Sequence, residues 1–312
     1  MRIVIIGTGG IAQKAYFPLI KVMPSVEVVG IHSRTQKNVD KALARWRFPF
    51  GTTDLNALLE LKPDAAVVIS ATASHYDICR MMLENGVDVY AEKSLTTESK
   101  LSHDLHRIAD ENERILAVGF NRRYALLCEQ AKEILGGRKV ELAIVQKHRT
   151  NASYPSLYRQ FLDDSIHQID LMRYFCGDAE ALTTRYTMPG GMVGSVVSTL
   201  SLPDGGQGLL MISGHAGAWQ ESVTLHGEGV TIHVDMFRSM RVKHDDHEVE
   251  YGTDRAGKWV SAMKERGFYG EMAHFFKCVK TRETARTNAK EAAKTQELME
   301  ALIDVSEDAG EE

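Results

Sequence analysis

Residues 1–12 read MRIVIIGTGGIA: an apolar strand, Ile3-Val4-Ile5-Ile6, runs without a linker into Gly7-Thr8-Gly9-Gly10-Ile11-Ala12. Gly7 permits a tight strand-to-helix turn, and Gly9 lets the backbone approach a pyrophosphate with no Cβ in the way. Ala12 lets the next helix pack closely on the strand. Phosphates would then lie at the start of the helix expected from Ile11 to Val22, where unpaired N–H groups and the helix dipole favour anions. An ordinary βα turn carries the same short string. The strand before it and the helix after it supply the context that a dinucleotide site requires.

Outward from this turn, strands and helices alternate. Arg2–Ile6, Val26–Ile31, Ala65–Ile69, Val87–Ala91 and Ile115–Gly119 read as strands. The stretches to about Met23, from Gln36, His75–Asn85 and from about Thr97 to Asn112 read as helices. Continuously apolar strands separated by helices imply a parallel sheet covered on both faces. The expected fold is therefore α/β, beginning with a doubly wound Rossmann sheet whose ligand lies beyond the carboxyl ends of its strands. From about residue 181 the texture changes to short strands, Ala181–Thr187, Gly194–Ser201, Gly208–Ser213, Ser222–His226 and Val230–Val234, separated by Pro/Gly turns. This predicts a large, open, mainly antiparallel sheet in a C-terminal α+β domain. We divide the chain into 1–121, the dinucleotide-binding domain, and 122–312, the substrate and oligomerisation domain. Helices over about Ala262–Lys280 and Ala289–Glu307 finish it and can pack back on the first domain; the acidic end reads as loose.

With 312 residues and a net charge of −5, the chain offers no basic face for nucleic acid or an anionic membrane. No apolar run is long enough for a membrane span, and no leader precedes the first strand. Cys79, Cys128, Cys176 and Cys278 are scattered, with no CxxC pair, as in the reduced thiols of a cytoplasmic protein. His244-Asp245-Asp246-His247 lies in a charged run without further ligands at suitable spacing, so it reads as a solvated hairpin and no metal site is expected.

Candidate functional residues sit just after strands. After the second, Ser33-Arg34 occupies the place where an NAD-specific fold puts an acid for the ribose hydroxyls. A hydroxyl followed by a guanidinium suits a 2′-phosphate, which favours NADP over NAD. Arg34 stacked on adenine, or turned to solvent, is the other reading. After the next strand come Ala71-Thr72 and His75, with Ser74 a candidate helix cap. Then follow Glu92-Lys93-Ser94, and after the last Rossmann strand Asn121-Arg122. Lys147 to Asn151, reading KHRTN, closes the strand Val140–Val145. Its donors, Arg149 and Asn151, suit a polyhydroxylated or anionic substrate, or equally a solvated strand end. In FLDDSIHQID, residues 161–170, Asp163 and His167 stand four apart, which on a helix puts them on one face. Without further context they read as a helix-start acid and a core histidine.

The ordered set GTGGIA, ATASHYD (71–77), AEKS (91–94) and GFNRRY (119–124) resembles the Gfo/Idh/MocA oxidoreductases, and the resemblance continues to the C-terminus. GGIAQKAYFPL, KHRTN and FLDDSIHQID look most like its MviM-like group. The resemblance implies an NAD(P)-dependent dehydrogenase or reductase acting on a sugar, polyol or related hydroxy compound. Cofactor contacts would come from Gly7, Thr8, Gly9, Gly10, Ile11, Ala12, Ser33, Arg34, Ala71, Thr72, His75, Glu92, Lys93 and Asn121. Catalysis is implied for Lys93, Asp163 and His167, and substrate contacts for Arg122, Arg149 and Asn151. An ammonium at Lys93 would stabilise a developing alkoxide, and the imidazole of His167 would take the hydroxyl proton as hydride leaves. The family's Glu-Lys-Pro is Glu92-Lys93-Ser94 here, which removes a backbone restraint and keeps the charged pair. The resemblance also implies a homodimer or homotetramer through the outer face of the C-terminal sheet. Two other classes stay open: a catalytically silent NAD(P)-binding sensor or regulator, and a methyltransferase using the glycine turn for S-adenosylmethionine. The latter expects an acid after the second strand, which Ser33-Arg34 does not supply.

Overall fold

Three neighbouring strands of near-zero exposure build the first layer, because Ile3–Ile6, Ala65–Val68 and Val89–Ala91 have no polar face to turn to water. In the computed structural model, which describes residues 1–252 and 261–309, six strands lie parallel. They are β1 (Arg2–Ile6), β2 (Glu27–His32), β3 (Gly51–Thr52), β4 (Ala65–Val68), β5 (Asp88–Glu92) and β6 (Leu116–Gly119). Their order, β3-β2-β1-β4-β5-β6, reverses direction between β1 and β4. That reversal is the topological switch point of a Rossmann sheet, and it puts Gly7 and Ser70 at neighbouring strand ends. The amphipathic helices Gln36–Trp46, His75–Glu84 and Ser99–Glu111 bury one stripe each, led by Val39, by Ile78 and Met82, and by Leu105 and Ile108.

Nine strands form the second sheet: β7 (Leu142–His148), β8 (Glu180–Tyr186), β9 (Ser195–Ser201), β10 (Gln207–Ser213), β11 (Gln220–Gly227), β12 (Val230–Asp235), β13 (Ser239–His244), β14 (His247–Gly252) and β15 (Ser306–Asp308). Their order is β14-β13-β12-β11-β7-β10-β9-β8-β15, antiparallel except for the pairs β7–β10 and β8–β15. Strict alternation marks one covered face. Ala143, Val145, Leu210, Ile212, Val223, Leu225, Ile232 and Val234 are buried, and helices Leu126–Leu135 and Ile166–Cys176 pack on that side. The opposite face carries half-exposed residues such as Ile144, Leu209, Met211 and Thr224, with Val197 43% exposed. The α/β fold with a parallel Rossmann sheet and a mainly antiparallel C-terminal sheet is thus the observed one.

By internal contacts the chain separates into Met1–Phe120 with Phe268–Ala293, and Asn121–Gly267 with Lys294–Glu312. Local structure departs from the sequence reading at three places. The helix expected from Ile11 to Val22 opens as a π turn, Ala12–Tyr16, followed by Phe17–Ile20. By contrast, the solvated hairpin read at His244–His247 is present: β13 and β14 enclose the turn Asp245-Asp246, where both residues have positive φ of 49° and 59° as a tight hairpin turn requires. The helix expected over 262–280 is two helices, Ala262–Glu265 and Phe268–Thr281. Gly267 separates them at φ +82°, where a Cβ would lie 1.9 Å from the Asn121 carbonyl oxygen. Near the C-terminus, Ser306–Asp308 pairs with β8 instead of extending the last helix, which ends at Asp304. The rest of the acidic end, residues 310–312, lies outside the described residues.

Candidate active site

At the end of β1, Gly7 adopts φ +111°, and a Cβ there would meet the Ile69 carbonyl oxygen at 2.5 Å. Only glycine lets the turn lie this close to the end of β4. Gly9 and Gly10 are exposed, and a Cβ at either would meet no protein atom within 4 Å. The turn therefore has an open cradle beside the first, unpaired N–H groups of the helix, which fits a pyrophosphate. Ala12 is fully buried beneath it. Thr8 donates its hydroxyl to Ser33 Oγ at 3.0 Å, tying the turn to the end of β2. Ser33 is buried and Arg34 exposed, and from Ile31 to Val39 there is no acidic side chain.

After β4, Ala71 is exposed and Thr72 half-buried in a short turn that ends at Ser74. The Ser74 hydroxyl donates to Ala71 O and Ser70 Oγ, both at 2.8 Å, so it does not cap the helix as the sequence suggested. His75 is fully buried. Its Nδ1 lies 3.0 Å from Ser94 O and its Nε2 3.0 Å from Ser70 O, so the ring clamps two strand ends together. Burial pulls its pKa below the ordinary histidine value, and the two carbonyls and Glu92 oppose that shift. At the end of β5, Glu92 and Lys93 are half-buried, Ser94 is buried, and the Lys93–Ser94 peptide is cis. The Lys93 N–H donates to Glu92 Oε2 at 2.8 Å.

The second group of candidates lies on and beside the helix under the nine-stranded sheet. Asp163 sits in a π turn, Gln160–Ser165, that feeds helix Ile166–Cys176, where His167 lies in the first turn. Asp163 is half-buried and ion-paired to Arg159 at 2.6 Å; His167 is 8% exposed. Sequence reasoning missed what stands next to them. Asp164 is buried, with Lys147 Nζ 3.0 Å from Oδ1 and the Arg149 guanidinium on the same oxygen. Lys147 also approaches Glu221 at 3.8 Å, and Arg122 forks onto Glu221 at 2.6 and 2.7 Å. Gln168 Nε2 donates to Glu221 Oε2 at 3.0 Å. Three cations and two anions thus share one cluster, buried except at Arg149. Burial pulls the Lys147 pKa down to about 8 against the attraction of Glu221. Burial acts to raise Glu221, but Arg122 outweighs it and holds the carboxyl at about 2. Arg122 and Arg149, expected as substrate contacts, have carboxylate partners within the fold, and Asn151 is exposed. Asn121 donates its amide to Arg266 O at 2.7 Å and accepts from Arg122 at 3.3 Å.

Among the described residues no group of three or more His, Cys, Asp or Glu side chains could hold a metal, and no helix is long and apolar enough to cross a membrane. Residues 1–120 match the profile described as "Oxidoreductase family, NAD-binding Rossmann fold". The chain is similar along its whole length to the putative oxidoreductase YceM of Salmonella typhimurium, at 30% identity over 305 residues and 97% of each chain. It is 28% identical over 193 residues to inositol 2-dehydrogenase 3 of Saccharopolyspora erythraea, covering 57% of this chain and 54% of that one. The crystal structure of a dehydrogenase (MviM) from Clostridium difficile shares its fold, with a TM-score of 0.88 at 24% identity over 97% of this chain and 99% of that one. With its glycine turn at a Rossmann switch point and a full-length relative at this identity, the chain belongs to the Gfo/Idh/MocA family of NAD-binding oxidoreductases.

Proposed function

We propose that this oxidoreductase is a dehydrogenase or reductase of a sugar, a polyol or a related hydroxy or keto compound, using NADP in preference to NAD. The reading rests on one observation above the others: the turn after β1 is open at Gly9 and Gly10 and tied through Thr8 to a β2 end that presents Ser33 and Arg34 with no acid. An acid there would repel a 2′-phosphate, whereas an exposed guanidinium attracts it. The similarity to an inositol dehydrogenase supports the polyol class.

When bound, the nicotinamide supplies the hydride acceptor or donor. Gly7 to Ala12 would bind the pyrophosphate, with Ala71 and Thr72 lining the same strand ends. Lys93 would donate to the reacting oxygen and stabilise its negative charge. His167 would take the hydroxyl proton on oxidation and return it on reduction, and Asp163 would orient the hydroxyl. Asn151 and the positive cluster around Lys147 suit a substrate rich in hydroxyl or anionic groups.

The same fold could serve as a silent cofactor-binding sensor. Against that, His75 holds the turn that carries Lys93 even though Ser94 replaces the family proline. The deciding assay follows nicotinamide absorbance over a panel of inositols, hexoses and their keto forms with NADP and NAD. Turnover of at least one compound, faster with NADP, is expected; dinucleotide binding without turnover of any compound would favour the sensor. The half-exposed open face of the nine-stranded sheet supports assembly as a homodimer or homotetramer, and the four free thiols suit the cytoplasm.

A further inference from the structure

Asp163 and Asp164 are neighbours with opposite surroundings. The Asp163 side chain is 29% exposed and paired with Arg159, whereas that of Asp164 is 1% exposed. Both stand in the π turn Gln160–Ser165, which runs directly into the helix that carries His167. Successive residues of a helical turn point in different directions, about 100° apart in an α-helix. A turn that seats Asp164 in the interior therefore directs Asp163 away from it.

Lys147, at the buried end of the inward row of β7, does the seating. Its Nζ donates to the Asp164 carbonyl oxygen and lies 3.0 Å from Oδ1 of the same residue. One ammonium thus grips the backbone and the side chain of Asp164 together, so the residue can neither rotate nor unwind without breaking a charge-assisted bond. Gln160 donates its amide to Asp164 Oδ2 at 3.4 Å and to Ser165 Oγ at 3.0 Å, tying the start of the turn to its end. The Arg149 guanidinium shares Oδ1. A π turn is rare and forms in single turns, often at functional sites. Here a polar clamp on its inner side accounts for it.

We propose that Lys147 is a positioning residue: by holding Asp164 inward at both carbonyl and carboxylate, it sets the π turn that presents Asp163 and leads into His167. The proposal rests on the roles given above to Asp163 and His167. Without the ammonium, the Asp164 carbonyl loses this donor and the carboxylate keeps only Arg149 and Gln160.

Two variants separate positioning from simple neutralisation of a buried charge. Lys147→Met strands the Asp164 carboxylate, so the denaturation midpoint and kcat fall together. Adding Asp164→Leu removes both charges and brings the midpoint back toward wild type, but the carbonyl of residue 164 still lacks its lysine. In this double variant kcat stays about tenfold or more below wild type, with KM for the dinucleotide within about twofold of it. The same proteins are compared without cofactor or substrate by hydrogen exchange. The Asp163 and Ser165 amides exchange about tenfold faster or more in the double variant, while the Val145 amide of β7 is unchanged. The double variant carries the test if Lys147→Met does not fold. Recovery of kcat, or of protection at Asp163 and Ser165, along with the midpoint overturns the role and leaves Lys147 as a counter-charge only. The exchange measurement is readable in a protein that turns over no compound of the panel, so failure here and failure of the proposed function are told apart.

Discussion

Glu221 is buried on the covered side of β11 with the Arg122 guanidinium forked onto it, and its carboxyl is held at about 2 against an ordinary 4.5. The folded value lies below the unfolded one. The stabilisation is therefore complete above about pH 4.5 and is lost as pH falls toward about 2. That shift corresponds to about 3 kcal/mol. Glu221→Gln is expected to lower stability near neutral pH by about that amount, since Arg122 loses its counter-charge. Denaturant unfolding at a series of pH values should then show a shallower acid limb for the variant, and equal limbs in both proteins would contradict the assignment. The signal for this pair was present in the sequence. Lys147 continues the inward row Ala143, Val145, and Glu221 begins the inward row Val223, Leu225. A charge on each of two buried rows is costly unless the two are paired. Gly7, Ser33, Lys93 and His167 were legible because each follows a strand or opens a helix. Asp164 was not, because its partner Lys147 lies 17 residues away and an Asp-Asp pair does not say which member faces inward.

For the elements, hydrophobic period sufficed where burial is complete or strictly alternating, as in β1, β4 and β10. It failed at the helix predicted over 262–280, whose pattern runs through Gly267 although the backbone there must turn left-handed. Gly267→Ala should cost roughly 2 kcal/mol or more, from the positive φ and the close Asn121 carbonyl, read as a lower midpoint in denaturant. Gly7→Ala has the same cause and a different readout. The end of β4 is displaced by the new Cβ, so NADP binding measured by fluorescence should weaken by at least about tenfold. Normal affinity in that variant would mean that the turn tolerates the movement. The turn of the hairpin β13–β14 was legible at His244–His247 from its charged run, but the extent of its strands was not, because the outer strand is exposed and charged, with no apolar alternation to mark it.

Across the whole molecule, a parallel Rossmann sheet and a nine-stranded sheet each have their own core, and each carries part of the proposed chemistry. The broad covered face of the second sheet explains its stability; the open face predicts self-association. Val197→Lys on that face should lower the mass measured by light scattering toward that of one chain, and an unchanged oligomer would place the interface elsewhere. Substrate identity was not legible, since it depends on the shape left by loops and not on any motif. The account stands most directly on turnover by three proteins: wild type, Lys93→Ala and His167→Ala, with NADP(H) and the best compound of the sugar and polyol panel. It predicts that each variant binds the dinucleotide within a few-fold of wild type while kcat falls by about 10²–10⁴. Wild-type turnover in either variant would contradict it.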